Sequence, residues 1–467
     1  MADESLQLMA HLLRRAGAGA SREELEAYAK RPYEEVVDDL VHPERFPDTD
    51  DDLLLRYFPA LVNSDTPMIW SGRWIYRMVN TEQPLREKMA LFWHHVFATA
   101  WFKAEHGPSI PTHIQMLRDH GLSNMRELLL ALSHDPAMIF WLDNCENHGA
   151  TPNENFGREL LELFSMGIGA YSEDDVKNAA YAFTGWTFEQ PIPLYPYGGY
   201  GSKFRYSEED HDDREKTFLG ETGRFKGEDI IDIIVRQEAT ARFIVRHMFN
   251  FFVADEPQVA AWSIQPPEDT AGVDALVKVF LDSDGDLREV MRALFTSDSF
   301  KKARFSRVKC PAEFVAGTLK LSGELREPEP QLWKLHSAMT AMGQTLMDPP
   351  SVEGWHTGKE WIDGGTLMER INFAVEHVGD PSRPGVRDIV DRLAASGASL
   401  SAEAFVDACL DLAGPLDVDE ATRSTLLELA AKDGDLSFDS DDARKRAASR
   451  VARMLSLIVA APEYQFA

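Results

Sequence analysis

One segment constrains the fold of this chain more than any other: PNENFGRELLELF, at residues 152–164. At about 100° per residue, one face of a helix built from it carries only apolar side chains, namely Phe156, Leu160, Leu161, Leu163 and Phe164. The opposite face, an arc of roughly 140°, carries Glu154, Asn155, Arg158, Glu159 and Glu162. The pattern predicts an amphipathic helix at 153–166 that docks its apolar face and presents a densely polar one.

Helical periodicity extends over most of the chain, which favours a mainly α fold. It is found at 4–16, 21–41, 65–103, 108–120, 123–134, 172–184, 228–253, 270–281, 286–297 and 311–321. Ser21 and Glu24 form a capping-box pattern, and Asp286 is expected to cap the helix after it. We therefore predict a large multi-helix body, with an α-helical core at 1–384 and a C-terminal helical segment at 385–467 packed on it.

Two long segments interrupt the helical pattern and are predicted to be irregular loops. Residues 185–227 are rich in Gly, Pro, Tyr and charged side chains, and Lys203–Tyr206 alternates as a strand of a small β-hairpin would. Residues 349–362 begin with two prolines, which set an extended entry, and carry Trp355. Because long segments without helix are usually functional, we expect both loops near the charged helix.

Composition argues against several classes of partner. The net charge of −29 would be repelled by nucleic acid and by anionic membrane surfaces. It favours high solubility or a cationic partner, including metal ions. The three cysteines, Cys145, Cys310 and Cys409, are odd in number and far apart. They are not typical of a disulfide framework and fit a reducing compartment.

The N-terminal residues have early acids and no long apolar run, so they are not typical of a signal peptide. No segment of about 20 apolar residues indicates a membrane span. The sequence as written therefore predicts a cytoplasmic protein, with an exported protein as the alternative if a leader has been removed.

The first candidate chemistry is a divalent metal site, because imidazole nitrogens and carboxylate oxygens suit Zn, Mn, Fe, Ca or Mg. The predicted ligands are His94, Asp143, Glu159, Glu162, His211 and Asp212, with His95 and Glu154 close to them in sequence. A bound cation would lower the pKa of a water molecule for hydrolysis.

The alternative is an ion-pair network, because Arg158 stands four residues from both Glu154 and Glu162. His94, beside a tryptophan, is also consistent with a core histidine bonded to a carbonyl.

Two Glu-x-x-His pairs have the spacing that di-iron bundles use on helices: Glu208 with His211, and Glu353 with His356. Both pairs fall in segments predicted to be loops, which argues against a di-iron bundle. His211 and Asp212 also form the metal-binding doublet of helical phosphohydrolases, but again within a loop.

The second candidate chemistry is hydrolysis by paired carboxylates, with Glu154, Glu159 and Asp143 flanking the scissile bond. The catalytic candidates are Glu154, Arg158 and Glu159, in which Arg158 would orient the carboxylates or bind a substrate anion. Amide and stacking side chains that suit a small polar molecule or a saccharide are Asn153, Asn155, Trp186 and Trp355. The aromatic members of that set are equally consistent with packing of the loops onto the helices.

Nine motifs, spread through most of the chain, resemble the bacterial domain of unknown function 1800 family. They are HLLRRAG (11–17), FWHHVF (92–97), LDN (142–144), NENFGRELLELF (153–164), GIGAY (167–171), AFTGW (182–186), HD (211–212), KTFLG (216–220) and PSVEGW (350–355). The resemblance implies a Trp-His-Asn-His motif at the place where this chain has His94 and His95 in succession. No role of a His-x-His pair is therefore carried over to this chain. The resemblance implies no established activity. It does imply that relatives are often exported. It also implies that their genes often lie next to genes for proteins similar to alkaline phosphatases and sulfatases.

Together these observations predict a metal-dependent hydrolase whose acidic helix lines the site. The alternative is a non-catalytic binding or scaffold protein that acts with a partner resembling a phosphatase or sulfatase. In that case the charged helix would be an ion-pair network, and a loss of Glu159 would lower stability rather than activity.

Overall fold

The computed structural model describes residues 4–57, 66–104, 109–190, 201–257, 265–329 and 331–467. Within these ranges the fold is mainly α, as the periodicity predicts, with 24 α-helices and three two-stranded antiparallel sheets. None of the helices in these ranges combines the length and the apolar composition that a membrane span requires.

The N-terminal part of the fold consists of helices joined by short turns. They are α1 (Glu4–Ala16), α2 (Arg22–Tyr28), α3 (Tyr33–Val41), α4 (Asp51–Tyr57), α5 (Pro67–Asn80), α6 (Pro84–Val96), α7 (Trp101–Ala104), α8 (Ser109–His120), α9 (Met125–His134) and α10 (Pro136–Trp141). The capping box of Ser21 and Glu24 begins α2 as predicted. The segments 21–41 and 65–103 are each divided, because Pro32 and Pro84 lack the N–H that an uninterrupted helix would need.

The charged segment and the first irregular loop follow. Their elements are α11 (Asn155–Glu162), α12 (Glu173–Ala182), β1 (Trp186–Glu189), β2 (Lys203–Tyr206), β3 (Lys216–Phe218) and β4 (Glu221–Gly223). Helix α11 is shorter than the predicted 153–166, because the chain turns after it and reaches a positive φ of 76° at Gly167. The predicted strand at Lys203–Tyr206 is confirmed, and it pairs antiparallel with β1. The prolines and the Gly-rich run at 191–200 lie outside the described residues.

Helices resume after the second hairpin. They are α13 (Gly227–Val235), α14 (Glu238–Phe252), α15 (Thr270–Asp282), α16 (Leu287–Thr296), α17 (Asp298–Lys302), α18 (Pro311–Ser322), α19 (Trp333–Ala341) and α20 (Gly364–Val378). The Asp286 side chain accepts hydrogen bonds from the backbone N–H groups of Arg288 and Glu289, which confirms it as the cap of α16. Between α19 and α20, the predicted second loop is irregular apart from one short 3₁₀ turn at Gly358–Trp361.

The C-terminal segment is also helical. Its elements are α21 (Pro384–Ser396), β5 (Ser399–Leu400), α22 (Ala402–Leu412), α23 (Glu420–Lys432), β6 (Leu436–Ser437) and α24 (Asp441–Ala460). Helix α24 packs against α20, and α21 packs against α18. The segment after 384 therefore shares its buried surface with helices that precede it, and a domain boundary at 384 stays a prediction.

Helix α6 lies in the centre of the core. Its side chains Phe92 and Trp93 are fully buried, and Phe92 packs on Phe251 and Phe252 of α14 with ring centroids 5.3 and 5.7 Å apart. Burial of large aromatic side chains is a dominant source of stability. It fixes the C-terminal end of α6, where the two histidines stand, beside α14.

Candidate functional site

The charged face of α11 is largely occupied by salt bridges. Arg158 donates two parallel hydrogen bonds to Glu173 of α12, at 2.8 and 2.7 Å, and a longer one to Glu154 at 3.3 Å. The hydrogen bonds to Glu173 raise the pKa of Arg158 above its ordinary value. Two of the catalytic candidates, Glu154 and Arg158, therefore belong to a half-exposed ion-pair cluster that joins α11 to α12.

Three further candidates, Asp143, Asn153 and Asn155, are joined by hydrogen bonds at the start of α11. Asp143 has a left-handed backbone with φ 57°, and its carboxylate pairs with Lys103 at 2.9 Å. The same carboxylate accepts a hydrogen bond from the Asn155 amide at 3.3 Å. The Asn153 side chain accepts one from the Asn155 backbone N–H at 2.9 Å. These contacts hold the entry to α11.

The His-Asp doublet contacts Thr184, just after α12. His211 Nδ1 donates to the Thr184 carbonyl at 3.0 Å. Asp212 pairs with Arg214 at 2.6 Å; burial alone would raise the pKa of this carboxyl, but the hydrogen bonds from Arg214 outweigh burial and lower it. Trp186, only 1% exposed, packs on neighbouring aromatic rings. Both members of the doublet and Trp186 therefore have protein partners.

His94 is a core histidine. It is fully buried, and its Nε2 accepts a hydrogen bond from the Met347 backbone N–H at 3.1 Å. Burial, with smaller contributions from His113 and His95, holds its pKa well below the usual value. The ring also packs edge-on against Trp355, at 5.2 Å between centroids.

The six predicted metal ligands are thus distributed over several places in the fold. Within the part of the chain that the structure describes, no three His, Cys, Asp or Glu side chains are already arranged to hold a metal ion. Of the six, Glu159 and Glu162 lie together, and their surroundings differ from those of the other four.

A cavity of about 750 Å³ opens at the end of α11. Its walls are the end of α6, the turn at 163–170, helix α14, residues 265–270 and part of the second irregular loop. We call it the histidine cavity, because His95 of α6, His247 of α14 and His356 of the loop all line it. Two sequence candidates, Glu162 and Trp355, line the same space.

Two glycines allow the walls to approach one another. Gly354 has a φ of 81°, and a Cβ there would overlap the His95 carbonyl oxygen. Gly167 has a φ of 76°, and a Cβ there would lie 2.9 Å from the Phe243 ring of α14. An L side chain would be strained at both positions. The irregular segments therefore depend on glycine to close around the histidines.

The two imidazoles on helices are uncharged at neutral pH. Burial, with a smaller effect of Arg307, lowers the pKa of His95 to about 4. Burial, followed by His95 and Arg246, lowers the pKa of His247 to about 3. The Trp355 backbone N–H approaches His95 Nδ1 at 3.4 Å, which is long for a hydrogen bond. Neutral imidazoles can serve as metal ligands without first losing a proton.

Three carboxylates cluster at one side of the cavity. Burial raises the pKa of Glu159, and the nearby charges of Glu162 and Glu353 raise it further, against the opposing effect of Arg158. The Glu162 carboxylate accepts a hydrogen bond from the Tyr171 hydroxyl at 2.9 Å. Within the described ranges, none of these three carboxylates forms a salt bridge with a lysine or arginine.

The arginines of the cavity wall have carboxylate partners of their own. Arg242 pairs with Glu238 at 3.2 Å and with Asp274 at 2.6 Å. Arg246 pairs with the buried Glu256 at 2.7 Å. The charge that this wall leaves without a salt bridge is therefore negative.

Sequence reasoning found part of this cavity and missed another part. It named Glu162 and Trp355, and it noted Glu353 with His356 at a ligand-like spacing but set them aside as loop residues. Both line the cavity. His247 was missed, since one histidine within an apolar helical pattern gives no signal that it faces open space.

A comparison with protein families now places the chain. A family model described as "Protein of unknown function (DUF1800)" matches residues 11–466, which is nearly the whole chain. The chain belongs to this family. The match confirms the resemblance seen in the motifs, and all walls of the histidine cavity lie within the matched residues. Neither the curated proteins nor the solved structures gave a match.

Proposed function

We propose that this protein is a metal-dependent hydrolase whose divalent cation and small polar substrate bind in the histidine cavity. One observation carries the proposal: carboxylates that lack a salt bridge and uncharged imidazoles share the same cavity. Carboxylate oxygens together with imidazole nitrogens suit Zn, Mn or Fe.

The charges favour a cation as the missing partner of the carboxylates. Glu162 and Glu353 are close enough to Glu159 for their charges to raise its pKa. A divalent ion near them would reverse this repulsion and lower that pKa again. His95 and His247, already uncharged, would add nitrogen ligands without a proton cost.

Binding would have to draw the ligands together. No three of the described His, Cys, Asp or Glu side chains are prearranged around a metal position. Glu353 and His356 extend from a loop, and a cavity of about 750 Å³ leaves their side chains room to move inward. We therefore assign the ligand roles to Glu162, Glu353, His95 and His247, with Glu159 supporting them from the edge.

The size and lining of the cavity suit a small polar substrate. Small-molecule sites typically span about 300–1,000 Å³ and combine apolar walls with a few polar groups. Phe243, Leu163 and Trp355 supply apolar surface, and Trp355 could stack on a saccharide ring. The cation would lower the pKa of a bound water molecule, and Glu159, which is not among the assigned ligands, would accept its proton.

The alternative is a binding or scaffold role beside a partner resembling a phosphatase or sulfatase. It is favoured by the ion-pair cluster of Glu154, Arg158 and Glu173, which shows that part of the charged helix satisfies itself. Under this alternative the cavity would bind a ligand and would hold no metal.

The deciding experiment is metal analysis of the purified full chain after incubation with Zn, Mn, Fe or Ca and removal of free metal. We expect near-stoichiometric metal in the wild type and in Glu428→Gln, a matched change at an exposed helical glutamate. We expect its loss in a Glu162→Gln/Glu353→Gln double variant. Hydrolysis of chromogenic esters and glycosides would then be compared with and without the retained metal.

Two results would contradict the proposal. One is a wild type that retains none of the four metals. The other is a double variant that retains as much metal as the wild type. Hydrolysis without metal that is lost in Glu353→Gln would instead favour catalysis by paired carboxylates.

A further inference from the structure

A second, smaller cavity of about 110 Å³ is lined by residues from several distant parts of the chain, none of which lines the histidine cavity. Helices α1, α2, α18 and α21 line it, together with the turn before α2 and the turn after α22. Five cationic side chains contribute to its wall: Arg14 of α1, Arg22 of α2, Lys309 just before α18, Lys320 of α18, and Arg326 after α18. We call it the basic pocket.

The acidic side chains of this wall are already paired. Glu313 of α18 accepts hydrogen bonds from Arg307 at 2.7 and 2.8 Å and forms a salt bridge with Lys88. Asp388 of α21 pairs with Arg392 at 2.9 Å. Neither carboxylate pairs with a cation of the basic pocket.

Among the cations, Arg22 pairs with Glu26 at 2.8 Å and with Asp411 at 2.6 Å. The other four have no carboxylate within salt-bridge distance in the described ranges. Arg14 donates one hydrogen bond to the Gly414 carbonyl, and Lys309 donates one to the Tyr464 carbonyl at 2.7 Å. The Lys320 ammonium group donates no hydrogen bond to any described residue. In a chain with 77 acidic and 48 basic side chains, such a grouping is unexpected from composition alone.

Two of the Arg14 nitrogens point to a missing acceptor. Its Nε and Nη2 atoms are buried, and no acceptor within the described residues satisfies them. Buried donors of this kind usually have a water molecule or an ion as partner. Burial lowers the pKa of Arg14 to about 10 and lowers those of Lys309 and Lys320, so nearby negative charge would stabilise all three charged forms.

We infer that the basic pocket binds a phosphoryl group, either as inorganic phosphate or as part of a small phosphomonoester. A phosphoryl dianion carries enough charge and enough acceptor oxygens for several cations at once. A carboxylate offers one charge and two oxygens, which would leave part of this cationic wall without a partner. Arginine and lysine are the side chains that proteins most often use for this purpose.

The position of the pocket gives the ligand a structural consequence. Arg14 belongs to α1, Lys309 and Lys320 stand at and within α18, and Gly414 belongs to the C-terminal segment. A bound phosphoryl group would therefore connect three separate parts of the chain. Ligands that bind only the folded state stabilise it in proportion to their concentration and affinity.

The test is isothermal titration calorimetry of the full chain with inorganic phosphate, glycerol phosphate and acetate at matched ionic strength. Lys320→Gln removes one cation of the pocket, and Lys432→Gln makes the same change at an exposed helix end. We expect saturable phosphate binding by the wild type and by Lys432→Gln, and roughly tenfold weaker binding by Lys320→Gln. Lys320→Arg should restore most of the affinity.

The comparison of ligands identifies the source of the phosphoryl group. Tighter binding of glycerol phosphate than of phosphate would assign the pocket to a phosphomonoester, and the reverse would assign it to free phosphate. Acetate that binds as tightly as phosphate would overturn the inference. So would an absence of saturable phosphate binding, or equal binding by Lys320→Gln and the wild type.

Two further arms keep the result independent of folding defects and of the histidine cavity. Hydrogen exchange of the wild type should slow in α1, α18 and residues 412–416 when phosphate is added, and unchanged exchange would count against the pocket. Metal-free Glu353→Gln should bind phosphate as the wild type does. If it does not, the phosphate site is the histidine cavity and the inference fails.

Discussion

The histidine cavity and the basic pocket leave opposite charges without salt bridges. In the histidine cavity, Arg242 and Arg246 have carboxylate partners, whereas Glu162 and Glu353 have no cationic partner in the part of the chain that the structure describes. In the basic pocket, Glu313 is fully paired, whereas Arg14, Lys309 and Lys320 have no carboxylate partner among the described residues. The difference indicates two classes of ligand, a cation in one cavity and an oxyanion in the other.

The two cavities are also built differently. Irregular segments close the histidine cavity, and glycines with positive φ allow them to approach α6 and α14. Helices supply much of the basic pocket, and Arg14, Arg22 and Lys320 are held by regular helical backbone. Loops can move to assemble a site, whereas a wall of helices presents a preformed one. We therefore expect ligand-induced rearrangement in the histidine cavity and little in the basic pocket.

One buried arginine connects the two regions. Arg307 forms the salt bridge with Glu313 beside the basic pocket, and it also contributes to the lowered pKa of His95. Burial alone would raise the pKa of Glu313, but Arg307 and Lys88 outweigh burial and hold it well below the usual range. The neutral state of His95 thus depends partly on a charge that Glu313 balances.

The largest expected effect comes from removing that balance. Glu313→Gln leaves Arg307 and Lys88 buried without their carboxylate, which should lower the free energy of unfolding by about 3–5 kcal/mol. Urea denaturation at neutral pH measures this. Because the pKa of Glu313 is lowered by folding, its stabilisation is present above the ordinary glutamate pKa and is lost at lower pH.

The same variant sharpens the comparison of the cavities. Added phosphate should recover more stability in Glu313→Gln than in the wild type, because the variant has an even greater excess of positive charge. Equal stabilisation of both proteins by phosphate would show that the buried charges around Glu313 do not affect binding in the basic pocket.

The next effect concerns the loop that closes the histidine cavity. Gly354→Ala places a Cβ against the His95 carbonyl oxygen at a positive φ, and it should lower the free energy of unfolding by about 1–3 kcal/mol. Thermal or urea unfolding gives the value. Gly364→Ala is the matched control, since a Cβ there meets no neighbouring atom. Equal stability of both variants would show that the loop is not held against α6.

A smaller effect is expected on the charged helix outside the cavity. Arg158→Ala removes the half-exposed salt bridges to Glu154 and Glu173, and should lower the free energy of unfolding by about 0.2–1 kcal/mol. Metal binding should persist, because these residues lie outside the cavity wall. Loss of metal in this variant would move the site back onto the face of α11 that the sequence suggested.

The sequence predicted the fold well because helix formation depends on local patterns. Capping at Ser21 and Asp286 and the pairing strand at Lys203–Tyr206 were all visible in the printed chain. The exceptions were helix lengths, as for α11, where a turn ends the helix before its periodic pattern ends. Tertiary packing decides such boundaries.

The candidate site was less predictable, because it depends on contacts between distant segments. The polar face of α11 suggested one site, but Arg158 pairs with α12 and only Glu159 and Glu162 lie toward the histidine cavity. His94 and His95 differ by one residue, yet one packs in the core and the other lines the cavity. The cations of the basic pocket are up to about 300 residues apart, with no motif that joins them.

The smallest expected effect is also the most direct test of the cavity charge. Burial and two nearby carboxylates raise the pKa of Glu159 in the folded protein. Its contribution to stability is therefore complete below the ordinary glutamate pKa and is lost as pH rises through the raised value. Without metal at pH 7, Glu159→Gln should change the free energy of unfolding by less than about 0.5 kcal/mol, in the stabilising direction.

With Zn or Mn present, the wild type should become the more stable protein, because a cation offsets the repulsion that the variant lacks. Urea unfolding at pH 4 and pH 7, with and without metal, gives both signs. A wild type that is already the more stable one at pH 7 without metal would mean that Glu159 belongs to the ion-pair network of α11, and the two cavities would no longer differ in the sign of their unpaired charge.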